Sequence, residues 1–356
     1  MDKKFVMGIA AMAALTLVSC SSDDLDSLSD NSSKNEAISF DGYLGRSAVA
    51  VNGSRGSVET AKTLETNGFG VFSKYTGTAS FPDFANQKVT YSNSKWTYSP
   101  LKFWPAQGNI DFYAYAPYDK DKKLKESTTT FDYKVADQKD LLWANSTGHQ
   151  ITANIASTKE KVKFQFKHAL SRLGYTIKLS GDYTSKNVKF TLNKITLAGS
   201  APESTTKAFY TGGTIDLSTG NWTLKDATKQ DFDWFSGTYE KLSTTASNPD
   251  KDNNYLFVIP QDFSKDKDPK KPTEVVDELY VIVQYTITYP DGVGTQTNTV
   301  YKQLKQNFLQ GTAYMLNLTI GLPIEFDIDV KTGVDGWGND NVIPDGKDID
   351  TWDGIE

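Results

Sequence analysis

Lys161-Val162-Lys163-Phe164-Gln165-Phe166-Lys167 is the stretch that decides the fold class. Its apolar residues recur at every second position, and the positions between them hold lysine or glutamine. Successive side chains of a strand point to opposite faces, so this pattern supplies one face for a core and one for water; a helix needs a period near 3.6. The same alternation recurs further along. Residues 278–289 alternate through Leu279, Val281, Val283, Tyr285, Ile287 and Tyr289. Ile324, Phe326, Ile328 and Val330 alternate with Glu325, Asp327, Asp329 and Lys331. Further strands are predicted over 38–44, 68–75, 87–91, 94–98, 110–116, 175–179, 188–197, 255–259, 299–303 and 313–320, rich in Val, Ile, Thr, Tyr and Phe. Asn52-Gly53, Asn67-Gly68, Gly212-Gly213 and Asp291-Gly292 supply turns between them. One wet face per strand predicts antiparallel pairing. The expected fold is all-β, with two antiparallel β-sandwich domains in series over 37–182 and 183–332, divided at the polar stretch 180–186. Short helical turns are expected within 136–143 and after Phe232.

The chain has 356 residues, enough for two such domains, and a formal charge of −6. This acidic balance offers no general attraction to nucleic acid, and no nucleic-acid partner is expected. A single cysteine, Cys20, excludes an intrachain disulfide, and two histidines, His149 and His168, exclude a His-rich metal site.

The first residues read as an address. Lys3 and Lys4 precede an apolar run of fourteen residues, Phe5 to Val18, which is short for a membrane span of about 20 residues and suits a signal peptide. Leu17-Val18-Ser19-Cys20 resembles the bacterial lipobox, which implies cleavage before Cys20 and acylation of it. Residues 1–19 are therefore the expected lipoprotein signal, and Cys20 the expected lipid anchor. Residues 20–36 form an acidic Ser/Asp/Asn-rich tether with little apolar content. Residues 333–356 form a Gly/Asp-rich tail containing Trp337 and Trp352.

No catalytic signature is present: no Gly-x-Ser-x-Gly elbow, His-Glu-x-x-His helix, phosphate loop or dinucleotide fingerprint. No enzyme activity, cofactor or metal is expected. Oxygen-rich stretches at 250–254 and 333–341 do not match the calcium loop of an EF-hand. The seven tryptophans are read as core residues, with a sugar-stacking platform as the alternative.

Four local patterns occur in an order that resembles one family. Phe103-Trp104-Pro105-Ala106-Gln107-Gly108, followed by Phe112, Ala114, Tyr115 and Pro117, is similar to the W-P-x-x-G-x-x-x-F-x-A-Y-x-P signature of the fimbrillin-like lipoproteins, the subunits of type V pili. Leu141-Leu142-Trp143-Ala144, then Val162 to Leu173 with His168-Ala169-Leu170, and Gln310-Gly311 with Tyr314, Leu316, Leu318 and Ile320 match later regions of the same family. The resemblance implies two transthyretin-like domains and export to the outer-membrane surface as a lipid-anchored precursor, which ends in the fimbrium. It further implies a trypsin-like protease that removes the first strand, and other pilin subunits as partners through strand exchange. On this reading Ile38, Phe40 and Leu44 belong to the displaced strand. Of the three arginines, Arg46 before Ser47 is the first choice for maturation and Arg55 before Gly56 the second, because Arg172 lies inside the expected fold. Ile324, Phe326, Ile328 and Val330 form the candidate donor strand, the alternative being an ordinary final strand of its own domain. The alternative function is a non-polymerising surface adhesin that holds a glycan or a host ligand.

Overall fold

A computed structural model describes residues 37–44, 52–53, 56–78, 80–135, 138–152, 161–224, 228–249, 255–266, 268–271, 276–322 and 324–332. Strands of three or more residues are numbered in chain order. They are β1 (Phe40–Leu44), β2 (Phe69–Thr76), β3 (Gln87–Ser92), β4 (Lys95–Thr97), β5 (Gly108–Ala116), β6 (Thr130–Lys134), β7 (Leu142–Ile151), β8 (Val162–His168) and β9 (Ser171–Leu179). There follow β10 (Lys189–Ala198), β11 (Gly212–Asp216), β12 (Trp222–Leu224), β13 (Phe232–Tyr239), β14 (Leu256–Val258), β15 (Tyr280–Tyr289), β16 (Gly294–Gln303), β17 (Ala313–Gly321) and β18 (Glu325–Thr332). Among the described residues one α-helix, α1 (Ala61–Asn67), lies between β1 and β2. The chain is all-β, as the period-two pattern requires.

A seven-stranded sheet in the order β1-β8-β7-β5-β2-β3-β4 surrounds the first core. Its ends approach each other. Tyr98, just after β4, donates its hydroxyl to the Ile38 carbonyl at 2.6 Å, and Ala37 bridges Phe103. Ile38, Phe40, Phe69, Val71, Ile110, Phe112, Val162, Phe164 and Phe166 fill the interior. The second core is a sandwich. Sheet β14-β9-β17-β18 faces sheet β13-β10-β15-β16 across Tyr175, Ile177, Leu192, Ile195, Val281, Val283, Leu316 and Leu318. A third cluster joins the two, with Phe131, Leu141 and Trp143 packed against Ile215, Tyr255 and Phe257. A three-stranded sheet, β12-β11-β6, pairs the two halves directly through Gly212↔Lys134 to Asp216↔Thr130.

Several local expectations change. Within 136–143, residues 138–141 form no helical turn and 142–143 open strand β7, while 136–137 lie outside the described residues; the segment from Phe232 forms strand β13, because β7 and β13 pair along β5 and β10 respectively. Two pairings are parallel, β1 with β8 and β9 with β17, since alternation fixes faces but not strand direction. Strand β9 precedes the polar stretch 180–186, yet it pairs with β14 and β17 and packs into the second core. The change of core therefore falls at Ala169-Leu170. Helix α1 begins at Thr60, whose hydroxyl accepts from the Thr63 amide at 3.1 Å while Thr63 accepts from the Thr60 amide at 2.7 Å. It stops at Gly68, where φ is +70° and an added Cβ would lie 2.4 Å from the Val89 carbonyl oxygen.

Candidate functional site

Strand β1 is the candidate site, because it ends the first sheet and turns a buried apolar face into its core. Ile38, Phe40 and Leu44 are 1%, 2% and 3% exposed, all turned inward by the two-residue period. Ser39, Asp41 and Tyr43 alternate with them and are half-buried. The Phe40 ring stands 5.2 Å from Phe84 and 5.6 Å from Phe112, both edge-on, and 5.7 Å from Phe164, nearly stacked. Tyr98 adds a fourth ring at 5.3 Å. Each such pair adds about 0.5–1.5 kcal/mol beyond the area it buries.

The strand's polar attachment is lopsided. Among the described residues its ladder is with β8, in parallel register from Phe40↔Val162 to Leu44↔Phe166. Val162 donates its amide to the Ser39 carbonyl at 2.8 Å. The second edge is held just before β1, where Ile38 donates to the Lys102 carbonyl at 2.8 Å and accepts from Tyr98. Beside this clamp Leu101 and Phe103 are 43% and 47% exposed. Beneath Gly42 the wall is tight: a Cβ there would sit 3.0 Å from Phe69 Cε1 and 3.3 Å from Phe166 Cε2.

The chain that re-enters after residue 57 is fastened by a buried acid cluster. Asp140 Oδ2 accepts from the Glu59 amide at 3.0 Å and lies 2.7 Å from His168 Nδ1. The Glu59 carboxylate accepts from Thr63 Oγ1 and from Asn67 Nδ2, each at 2.9 Å. Burial, then the neighbouring Asp140 carboxylate, push the Glu59 carboxyl up to about 7. Nothing local in the sequence marks this cluster; its members come from the lead-in to α1, the lead-in to β7 and the end of β8.

Of the residues singled out by sequence, Cys20, Arg46, Ser47 and Arg55 lie outside the described residues, as do the signal 1–19, the tether up to residue 36 and the tail 333–356. Gly56 pairs through its backbone with Gly53. Arg172 is buried, its guanidinium 4.2 Å above the Tyr255 ring. Strand β18 is an edge strand, antiparallel to β17 from Tyr314↔Thr332 to Gly321↔Glu325. Its Phe326, Ile328 and Val330 are half-buried against the second core, and Ile324 is 57% exposed. Trp104, Trp143 and Trp234 are buried, and Trp96 and Trp222 half-buried, so none of the five described tryptophans forms an open stacking platform. His149 is half-buried, with Nε2 2.9 Å from Ser146 Oγ. Among the described residues no group of three or more His, Cys, Asp or Glu side chains is arranged to hold a metal ion. No helix among them is long and apolar enough to cross a membrane.

Comparison with known proteins gives a consistent picture. A family model described as fimbrillin-like matches residues 57–337. The fimbrium subunit Fim1C of Phocaeicola vulgatus is 27% identical over 94% of this chain and 96% of its own length. The crystal structure of a fimbrial protein from Bacteroides vulgatus superposes with a TM-score of 0.56 at 17% identity, covering 83% of this chain and 98% of that one. At that identity the last comparison speaks for the fold.

Proposed function

The chain belongs to the fimbrillin-like family, and on that premise we propose that it is a fimbrial subunit assembled by strand exchange from a lipid-anchored precursor. In this reading residues 1–19 are removed, Cys20 is acylated, and residues 20–36 tether the body to the outer membrane. The two cores correspond to two transthyretin-like domains meeting at Ala169-Leu170. A trypsin-like protease cuts after Arg46, or after Arg55, and releases β1. A strand from a neighbouring subunit then enters the vacated groove, and β18 is this chain's own candidate donor.

One observation carries the proposal: β1 combines a deeply buried apolar face with a single ladder at the end of a sheet. Such a strand leaves without unravelling the strands behind it. Its departure uncovers the rings of Phe84, Phe112 and Phe164 together with the unpaired edge of β8. An exposed edge over an apolar slot is a template for an incoming strand, since backbone hydrogen bonds supply attachment and alternate side chains supply selectivity.

The experiment is limited digestion of the purified precursor with an arginine-specific protease, followed by N-terminal sequencing and electrophoresis without boiling. The expected result is a new N-terminus at Ser47 or Gly56, after which β1 is displaced by an added strand peptide. A precursor that keeps its N-terminus, or a cut chain whose β1 no added strand displaces, refutes the reading.

A further inference from the structure

We infer that the β1 groove accepts a strand with a glycine or alanine at its third inward position, and so selects against this chain's own C-terminal strand. The inference rests on the strand-exchange reading and names the partner it admits.

The resident strand shows what the groove holds. Its inward residues are Ile38, Phe40, Gly42 and Leu44, so the groove takes large, large, none, large. The third place is narrowed by two rings, which must give by a few tenths of an ångström to admit even a Cβ. A Cβ on Gly42 would lie 3.0 Å from Phe69 Cε1 and 3.3 Å from Phe166 Cε2. A β-branched residue brings two more carbons into the same space. The Phe69 ring cannot step aside freely. It is 0% exposed and boxed by Trp96 at 4.8 Å, Phe166 at 5.2 Å and Phe164 at 5.8 Å between ring centroids. Native interiors have little spare volume, so moving one ring moves its neighbours.

The chain's own C-terminal segment nearly fits. Ile324, Phe326, Ile328 and Val330 repeat the spacing of Ile38, Phe40, Gly42 and Leu44, and Asp327 follows Phe326 as Asp41 follows Phe40. The mismatch is Ile328, which in that register falls on the narrowed place. A groove that suited a sister copy would be open there. The partner is therefore an extended segment of another subunit with bulky apolar residues at the first, second and fourth inward positions and Gly or Ala at the third.

The test uses the full chain in two ways. In the intact protein, Gly42→Val is compared with Ser39→Val, which places the same β-branched side chain on the face that alternates with the inward one. In a second form, a protease site placed within 45–51 is cut so that β1 is retained only by contact. Synthetic peptides spanning 37–45 (wild type, G42A and G42V) and a peptide spanning 323–331 then compete for the groove. Strand propensity alone makes G42V the better binder than the glycine peptide. The narrowed third place instead makes G42V and the C-terminal peptide roughly tenfold or more weaker than wild type, with G42A between. It also lowers the melting temperature of intact G42V but not of S39V. Equal melting of the two variants, or tight binding of the G42V or C-terminal peptide, overturns the inference. If the wild-type peptide fails to exchange while intact G42V still melts early, the strand-exchange reading fails and the selection rule falls with it, while the packing at Gly42 stands.

Discussion

Truncating Phe40 to alanine tests whether β1 is held by its ring or by its ladder. Phe40 is 2% exposed and meets four aromatic rings with centroids between 5.2 and 5.7 Å away. Phe→Ala in a packed core costs about 3–5 kcal/mol. The lower part of that range applies here, because an edge strand relaxes into the space more easily than a central one. A loss of about 3 kcal/mol raises the population with β1 detached by roughly two orders of magnitude. The readout is hydrogen exchange at Val162, whose amide donates to the Ser39 carbonyl at 2.8 Å and loses protection only when β1 lifts. Amides of β15 in the second core serve as the internal reference. Asp41→Ala is the control: its side chain alternates with the buried ones, its carboxylate accepts from the adjacent Gly42 amide at 3.0 Å, and its removal costs under about 0.5 kcal/mol. If Val162 in F40A exchanges within threefold of wild type, the ring cluster does not anchor the strand. If β15 loosens by the same factor, β1 is not a separable element and the groove argument fails.

Three further outcomes follow from the same geometry. Tyr98→Phe removes the 2.6 Å bond to the Ile38 carbonyl and is expected to loosen β1 by about 1 kcal/mol, read as faster Val162 exchange with an unchanged β15. The Glu59 carboxyl, pushed from 4.5 up to about 7, makes stability depend on pH. Below pH 4.5 it is neutral in both states. Between 4.5 and about 7 the folded chain keeps a proton that the unfolded chain releases, so stability falls across that window, by on the order of 2–3 kcal/mol, and levels off above it. Urea midpoints from pH 4.5 to 8 are therefore expected to decline in the wild type and to flatten in Glu59→Gln; parallel profiles count against the assignment. Asp140→Ala deprives both the Glu59 amide and His168 Nδ1 of their acceptor and is expected to cost about 3 kcal/mol, measured as a lower urea midpoint at pH 6.

Period-two alternation made β8, β15 and β18 legible because each keeps one face in a core and one in water. It did not reveal β7, where Leu141 to Ala144 are buried in succession and Asn145 to Gly148 are polar. That strand exists because β5 and β8 pair with it on both sides, a tertiary effect. Helix α1 escaped for the opposite reason: seven residues give too few turns for a period, and its start depends on reciprocal bonds between Thr60 and Thr63. Likewise, Ile38, Phe40 and Leu44 were readable as an inward face. Gly42 was not, since its meaning lies in Phe69 and Phe166. The cluster of Glu59, Asp140 and His168 has no sequence signature, because folding alone brings these distant positions together.

The two edge strands differ in a way that bears on which is lost and which is given. β1 has its inner face almost wholly buried, so its departure leaves an apolar trench that water fills poorly. β18 keeps Phe326, Ile328 and Val330 half-exposed and Ile324 57% exposed, and its outer face carries Glu325, Asp327 and Asp329. Detaching β18 therefore uncovers less apolar surface than detaching β1, and at about 25 cal/mol per Å² the difference favours β18 as the segment that moves between molecules. A strand that leaves its own sheet at low cost and a trench that cannot stay open at low cost together drive assembly in one direction. Replacing Ile328 by aspartate separates the roles: docking of β18 elsewhere is expected to be lost, because a carboxylate would enter an apolar slot, while the first core keeps its wild-type exchange pattern. A change in Val162 protection in I328D would show that the two edges are coupled within one molecule and that the division of labour is wrong.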